Sequence, residues 1–262
     1  MERKVLLWGK CKMSYIDVHC HLDILEDIQK AIDNARKAGV SKILTQGIDI
    51  STNRKSLELA KQFTEVKACL GIYPIEALKL SEGEIDAEIE FIKENGNKIL
   101  AIGEVGMDFK EDKNFHEKQK GIFGKFIKLS LDLDVPIIVH SRKAEKECIE
   151  LLEEFNAKKV IMHCFCGKWK LVERIQKNGW FLTVPTSVTK SEQFQTIALE
   201  VPLSQLFCET DSPFLHPEKK WPNEPANVIE SYKKIAELRG VSIEDIKKQI
   251  GQNYRKIFGS SV

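Results

Sequence analysis

The sequence predicts an α/β protein, a single-domain (β/α)8 barrel of the TIM type with a metal site at the C-terminal ends of its strands. Two observations lead to this prediction. Eight short β-branched or apolar runs alternate with longer segments of helical periodicity from Tyr15 almost to the end of the chain. Polar residues that commonly bind metals then recur where these runs end, at the face where such barrels carry their active sites.

The eight predicted strands are the runs rich in Val, Ile, Leu and aromatic residues. They begin with YIDVHC and KILTQGI and end with WFLTVP and QLFCET. In order, the strands are expected at 15–20, 42–48, 66–72, 98–104, 135–140, 159–164, 180–185 and 205–210. An open, doubly wound sheet is the alternative, but it usually carries a Gly-rich nucleotide loop after its first strand. Here the first strand ends in His19-Cys20-His21 instead, which favours the barrel.

The predicted helices lie between the strands and carry start and stop signals. They are expected near 25–38, 52–63, 84–95, 115–133, 143–155, 168–178, 190–199 and 225–239, with one or two closing helices over 242–258. Gly39 follows the first helix and Asn95-Gly96 follows the third, as residues typical of helix C-termini. Ser242 precedes Glu244 as an N-cap. The Pro-rich loop 211–224 reads as an ordered lid, and its Phe214 and Trp221 are expected to anchor it rather than to stack on bases.

Composition excludes several classes of protein. Of 262 residues, 42% are hydrophobic and 30% charged, as in an ordinary globular protein and unlike a disordered chain or a coiled coil. The 40 Lys and Arg are balanced by 39 Asp and Glu, which leaves a net charge of +1. Bulk positive charge therefore cannot attract nucleic acid to this chain. Any such binding must come from a local patch or from bound cations.

The ends of the chain and its cysteines predict where the protein works. Residues 1–13 are expected to be an N-terminal extension, with Met13 as an alternative start, and the hydrolase domain to span 14–262. We find no signal-peptide core and no stretch of the roughly 20 apolar residues that span a bilayer. The seven cysteines are scattered without a CxxC pair, as expected of reduced thiols in the cytoplasm. No obligatory protein partner is evident.

Metal-ligand residue types cluster at the predicted strand ends. His19 and His21 close the first strand, and residues two apart on a strand point to the same face. The other candidates end or follow later strands: Glu104, His140, His163 and Asp211. Six candidates exceed the needs of one tetrahedral ion. Two ions bridged by Glu104 are therefore expected, with His19 and His21 on one, His140 and His163 on the other, and Asp211 as a ligand that also accepts a proton from water.

These residues lie in stretches that resemble the TatD-family deoxyribonucleases. The resemblance runs from about Ser14 to Phe258 and rests on YIDVHCHLD, AIGEVGMDF, VPIIVHSRKA, VIMHCFCG and CETDSPFLHP, with NEP and NYRKIF further along. It implies the same six metal ligands, a divalent metal and hydrolysis of DNA phosphodiesters, with 3′–5′ exonuclease activity. Imidazole-rich sites favour Zn2+ and phosphoryl transfer often uses Mg2+ or Mn2+, so these are the candidates for the two divalent ions. The substrate is expected to be single-stranded DNA or an accessible DNA end.

One departure and several supporting residues complete the predicted site. Many family members read Gly-x-His-Pro after the third strand, whereas here Tyr73 stands at the histidine position. Tyr73 can still donate a hydrogen bond to a phosphate oxygen, and Arg142 is expected to clamp one. Asp23 and Glu209 are expected to orient metal ligands.

Two rival functions are open at this level. The first is a metal-dependent hydrolase or deaminase of a small molecule on the same type of barrel. Many of those enzymes bridge their metals with a carbamylated lysine at the fourth strand, where this chain has Glu104. The second is a degenerate barrel kept for binding alone, which should have lost ligands, whereas all six candidates are present.

Overall fold

Eight parallel strands alternate with helices in the computed structural model of the protein, which describes residues 13–259. The strands are β1 (Tyr15–Cys20), β2 (Val40–Gln46), β3 (Val66–Leu70), β4 (Ala101–Gly106), β5 (Ile137–His140), β6 (Val160–Met162), β7 (Phe181–Pro185) and β8 (Leu206–Glu209). The helices are α1 (Ile28–Ala38), α2 (Ile50–Gln62), α3 (Pro74–Leu78), α4 (Glu82–Glu94), α5 (His116–Leu133), α6 (Glu145–Glu154), α7 (Trp169–Lys177), α8 (Glu192–Glu200), α9 (Val228–Arg239) and α10 (Ile243–Phe258). The predicted extension lies, except for Met13, outside the described residues.

The strands pair in chain order and close into a barrel. Each neighbouring pair from β1 to β8 is parallel. Cys20, the last residue of β1, forms a parallel bridge with Ser212, which lies just beyond the end of β8. The buried side chain of Asp17 reinforces this seam, because it accepts hydrogen bonds from Thr210 N at 2.9 Å and from Thr210 Oγ1 at 2.6 Å. The predicted (β/α)8 fold class is confirmed.

Burial explains why the strands read as near-continuous apolar runs. Every residue of β4 and of β7 is buried, because helices cover the outer face of the sheet and side chains fill its interior. Large side chains such as Phe123, Phe126 and Phe207 are fully enclosed. The resulting core holds the strand ends in a rigid ring, so polar groups placed there have defined positions.

The helix ends follow the sequence signals, with local differences. Gly39 ends α1 in the left-handed conformation, with φ of 84°, and Ser242 begins α10 by accepting a hydrogen bond from Asp245 N. Strand β6 stops at Met162, short of the predicted 164. Helix α3 was not expected, because five residues are too few to show helical periodicity. No helix within residues 13–259 is long and apolar enough to cross a lipid bilayer.

Candidate metal centre

Five strand ends bring the six predicted ligands into one cluster. β1 supplies His19 and is followed directly by His21, whose Nε2 atom lies 3.3 Å from that of His19. The remaining members come from β4, β5 and the residues that follow β6 and β8: Glu104, His140, His163 and Asp211. Two overlapping groups have ligand atoms within 4.8 Å of one another, His19 with His21 and Asp211, and His19 with Glu104 and His163.

Glu104 lies between two sets of imidazoles. Its Oε2 atom is 3.5 Å from His19 Nε2 and 3.4 Å from His21 Nε2. Its Oε1 atom is 2.8 Å from His140 Nδ1 and 3.8 Å from His163 Nε2. Each carboxylate oxygen therefore faces a different pair of histidines. This is the arrangement expected of a carboxylate that bridges two ions.

The spacing around His19 and His21 suits a tetrahedral centre. For ligands about 2.1 Å from a zinc ion, the edges of a tetrahedron are about 3.4 Å long. Asp211 Oδ1 lies 3.5 Å from His19 Nε2 and 3.6 Å from His21 Nε2, and the distances to Glu104 Oε2 are similar. Imidazole nitrogens and carboxylate oxygens are both ligands for zinc. Mg2+ and Mn2+ prefer sites in which more of the ligands are oxygens. The donor set fits a divalent cation.

Two glycines allow the ligand-bearing strands to approach closely. A Cβ at residue 71, just after β3, would lie 2.6 Å from the carbonyl oxygen of Glu104. A Cβ at Gly106 would lie 1.9 Å from the carbonyl oxygen of His140, and Gly106 has φ of 145°. Only glycine fits these contacts. The absence of a side chain at Gly71 and Gly106 therefore lets the backbone of Glu104 and of His140 come this close.

Buried carboxylates hold two of the histidines from outside the cluster. Glu209 Oε2 lies 2.9 Å from His163 Nδ1, and both side chains are buried. Asp108 Oδ2 lies 3.1 Å from His140 Nε2. In each case the carboxylate contacts the ring nitrogen that faces away from Glu104, which fixes the orientation of the ring. The position of Glu209 suits the orienting role expected of it, and Asp108, which the sequence did not single out, makes the equivalent contact with His140.

Asp23 takes a different position from the one expected. Its carboxylate is half-buried, and its Oδ1 atom has no hydrogen-bond partner among residues 13–259. None of the hydrogen bonds in that range joins the Asp23 side chain to a histidine. Burial raises the pKa of Asp23, although the nearby charge of His21 counteracts this.

Tyr73 and Arg142 meet at Asp108 on one wall of the cavity. The Tyr73 hydroxyl donates to Asp108 Oδ2 at 2.7 Å, and Arg142 Nε donates to the same oxygen at 2.7 Å. Arg142 also forms an ion pair with Glu111. The guanidinium is therefore held in place by two carboxylates. A phosphate bound by Arg142, as the sequence predicts, would share the guanidinium with Asp108 and Glu111. Sequence reasoning missed Glu111, for which no motif signalled a role.

Electrostatics keeps the carboxylates of the cluster ionised. Burial alone would raise the pKa of Glu104, but hydrogen bonds from His140 and His19 outweigh it and hold the pKa well below its usual range. The pKa of Asp211 is lowered in the same way, against burial, by the charge of His163 and a hydrogen bond from His21. Burial opposes protonation of His163, yet the charges of Glu209 and Asp211 raise its pKa to about 10. A bound cation would take the place of such protons.

A cavity of about 570 Å3 opens above the cluster. This volume lies in the usual range for small-ligand sites. His21, Glu104, His140, His163 and Asp211 all line its floor or walls. A ligand in the cavity would therefore contact the predicted metal ligands directly.

Comparison with known proteins places this arrangement among metal-dependent hydrolases. A sequence profile of the family described as TatD related DNase matches residues 16–259. Deoxyribonuclease TATDN3 of Homo sapiens is 33% identical over 260 residues, which cover 93% of this chain and 94% of that protein. The uncharacterized metal-dependent hydrolase MJ1582 of Methanocaldococcus jannaschii is 32% identical over 249 residues, covering 94% of this chain and 97% of that protein.

Solved structures agree with the fold. The crystal structure of YjjV, a TatD homolog from Escherichia coli K12, superposes with a TM-score of 0.88 at 25% identity, covering 94% of this chain and 98% of that one. A hydrolase TatD family protein from Entamoeba histolytica has a TM-score of 0.85 at 20% identity, covering 94% and 99%. At that identity the second match speaks for the fold alone.

Proposed function

Because this chain belongs to the family of TatD-related DNases, we propose that it is a divalent-metal-dependent deoxyribonuclease acting on DNA ends. The observation that carries the proposal is the position of Glu104, whose two carboxylate oxygens face separate pairs of histidines at one set of strand ends. Two adjacent cations are used by many hydrolases that act on phosphate esters.

Two cations would be held by the residues that surround Glu104. His19 and His21 would hold one ion and His140 and His163 the other, with Glu104 between them and Asp211 completing the set; Zn2+, Mg2+ and Mn2+ are the candidates. When bound, such ions polarise a phosphoryl group and supply hydroxide near neutral pH. Two dications carry +4 and the two carboxylates −2, which leaves about +2 at the floor of the cavity if the histidines are neutral. This local charge suits a phosphodiester, although the whole chain carries only +1.

The protein's own groups bind and orient the substrate. Asp211, with its lowered pKa, is ionised near neutral pH and accepts a proton from the attacking water. Arg142 reaches a nonbridging phosphate oxygen from the wall where Asp108 holds it. Tyr73 reaches another by turning its single hydroxyl hydrogen from Asp108 to the phosphate. Asp108 and Glu209 keep His140 and His163 in the orientation that ligation requires.

The size of the cavity favours a DNA end as substrate. At about 570 Å3 the cavity at the mouth of the barrel has the volume of a small-ligand site, so it suits a terminal nucleotide of a single strand better than the middle of a duplex. The 3′–5′ polarity is the direction implied by the resemblance to the family.

Degradation of end-labelled DNA tests the proposal. Single-stranded and double-stranded oligonucleotides labelled at either end are incubated with Zn2+, Mg2+ or Mn2+, with a chelator as control. We expect metal-dependent shortening from the 3′ end, and its loss in Glu104→Ala and Asp211→Ala with the fold retained. Cleavage at the wild-type rate by either variant would contradict the assignment of Glu104 and Asp211 to the nuclease site. Hydrolysis of cyclic amides or aminopurines, with oligonucleotides left intact, would assign a small-molecule hydrolase instead.

A further inference from the structure

Two aromatic side chains of the loop 211–224 lie exposed beside the metal centre. Phe214 is 45% exposed and Trp221 is 66% exposed. The Phe214 ring lies 6.2 Å from the ring of His21, edge to face, and the Trp221 ring lies 5.7 Å from that of Phe214. The two rings therefore continue outward from a predicted metal ligand.

Hydrogen bonds from polar side chains hold this loop, while the two rings that the sequence suggested as its anchors lie exposed. Buried Asn223 donates from Nδ2 to the carbonyl oxygens of Thr210 at 2.9 Å and Phe214 at 2.7 Å. Thr186 Oγ1 donates to the Leu215 carbonyl at 2.7 Å, and Thr189 Oγ1 to the Pro217 carbonyl at 2.9 Å. Polar side chains thus hold the backbone, and the aromatic rings are left free to face a ligand.

Apolar and charged side chains both line the cavity. Ile24, Ile48, Phe214 and Leu215 are apolar, and Ile24 is itself 40% exposed. Glu111, Arg142 and Glu145 are among the charged ones. A ligand that fits this lining has an anionic part near the ions and Arg142, and a flat apolar part against Phe214. A nucleotide has this composition.

We propose that Phe214 and Trp221 form an aromatic platform on which one unpaired nucleobase next to the scissile phosphodiester stacks. The proposal rests on the proposed nuclease function. Stacking on aromatic rings tolerates every base, since each has a π-face, and a loop whose backbone is held by hydrogen bonds loses little entropy on binding. A paired base cannot reach the platform, so single strands and frayed ends are the substrates it selects.

Base-dependent kinetics tests the aromatic platform. Wild type, Trp221→Ala and Trp221→Phe are compared on short single-stranded oligonucleotides that carry one abasic analogue in turn on either side of the scissile bond. Trp169→Ala is the matched control, because Trp169 is 39% exposed at the start of α7 and makes no ring contact with Phe214 among the described residues. Trp221 is largely exposed, so unchanged thermal unfolding is expected for its variants.

Trp221→Ala should lower kcat/KM on the base-bearing strand by about tenfold, or about 1.4 kcal/mol. On the strand that lacks the stacked base it should match wild type, while Trp221→Phe keeps most activity and Trp169→Ala keeps all. An equal loss on both strands, or no loss on either, would overturn the platform. Fluorescence anisotropy of the same strands separates the two proposals. Base-dependent binding without cleavage would support the platform and reject the nuclease, whereas binding that ignores the base would reject the platform alone.

Discussion

The carboxylate of Glu209 offers a test of how the outer partners support the metal ligands. Glu209 is fully buried, and its Oε2 atom lies 2.9 Å from His163 Nδ1. We expect Glu209→Gln, which keeps the shape of the side chain and removes its charge, to weaken metal binding. At an effective dielectric constant of about 20, two unit charges at this separation interact by about 6 kcal/mol. A metal-bound imidazole carries only part of a charge, so the loss is smaller.

Removal of such a partner costs about 10- to 100-fold in metal affinity, which is about 1.4 to 2.8 kcal/mol. Competition with a chromogenic chelator measures this change for Zn2+. Glu230→Gln is the control, because it removes the same charge from a pair with Lys233 on the surface of α9, and its Kd should stay within about twofold of wild type. A Zn2+ affinity in Glu209→Gln within about threefold of wild type would refute the idea that this carboxylate tunes His163.

Three further changes probe the lid, the cavity wall and the surface. Asn223→Ala leaves a buried and a partly buried carbonyl oxygen without their donor, so the free energy of unfolding in urea should fall by about 2–4 kcal/mol. A loss below about 0.5 kcal/mol would show that the lid is held by other contacts. Tyr73→Phe removes the hydroxyl that donates to Asp108 and that is proposed to orient the phosphate, so kcat/KM should fall about tenfold. Metal affinity should stay unchanged, and a weaker metal affinity would contradict the assignment of Tyr73 to the substrate rather than to the metal ligands. The hydrogen bond from Arg36 lowers the pKa of Glu65 from 4.5 to about 2, so its stabilisation is present above the unfolded-state pKa and lost as the pH falls. Glu65→Gln should therefore destabilise by up to about 1 kcal/mol at neutral pH, and a difference that persists near pH 2 in urea unfolding would oppose this.

The barrel could be predicted because its signals are local. Each strand is a short β-branched run and each long helix shows its own periodicity, so the order of elements follows from neighbouring residues. The gathering of the candidate ligands also follows, since parallel strands in a barrel all end at one face. His19 and His21 add a spacing that has one geometric meaning on a strand.

Contacts between distant segments were beyond such signals. Asp108 receives Tyr73 and Arg142, which lie 35 and 34 residues away in the chain, and nothing in a single motif indicates that these three meet. The anchoring role expected of the aromatic residues in the lid was wrong for a similar reason. A tryptophan in a long loop suggests anchoring, but Asn223 supplies the anchor through bonds to backbone oxygens, so Trp221 stays 66% exposed. Helix α3 was missed because its five residues are too few to show the repeating apolar positions of a helix.

The claim that Glu104 joins two cations in a nuclease site is tested most directly by metal titration. Metal-stripped protein is titrated with Mn2+ or Zn2+ while cleavage of end-labelled single-stranded DNA and bound metal per chain are measured together. We predict that cleavage rises until two equivalents are bound, and that Glu104→Gln loses both the second equivalent and the cleavage. Full cleavage at one equivalent, or two equivalents with full cleavage in Glu104→Gln, would contradict the claim.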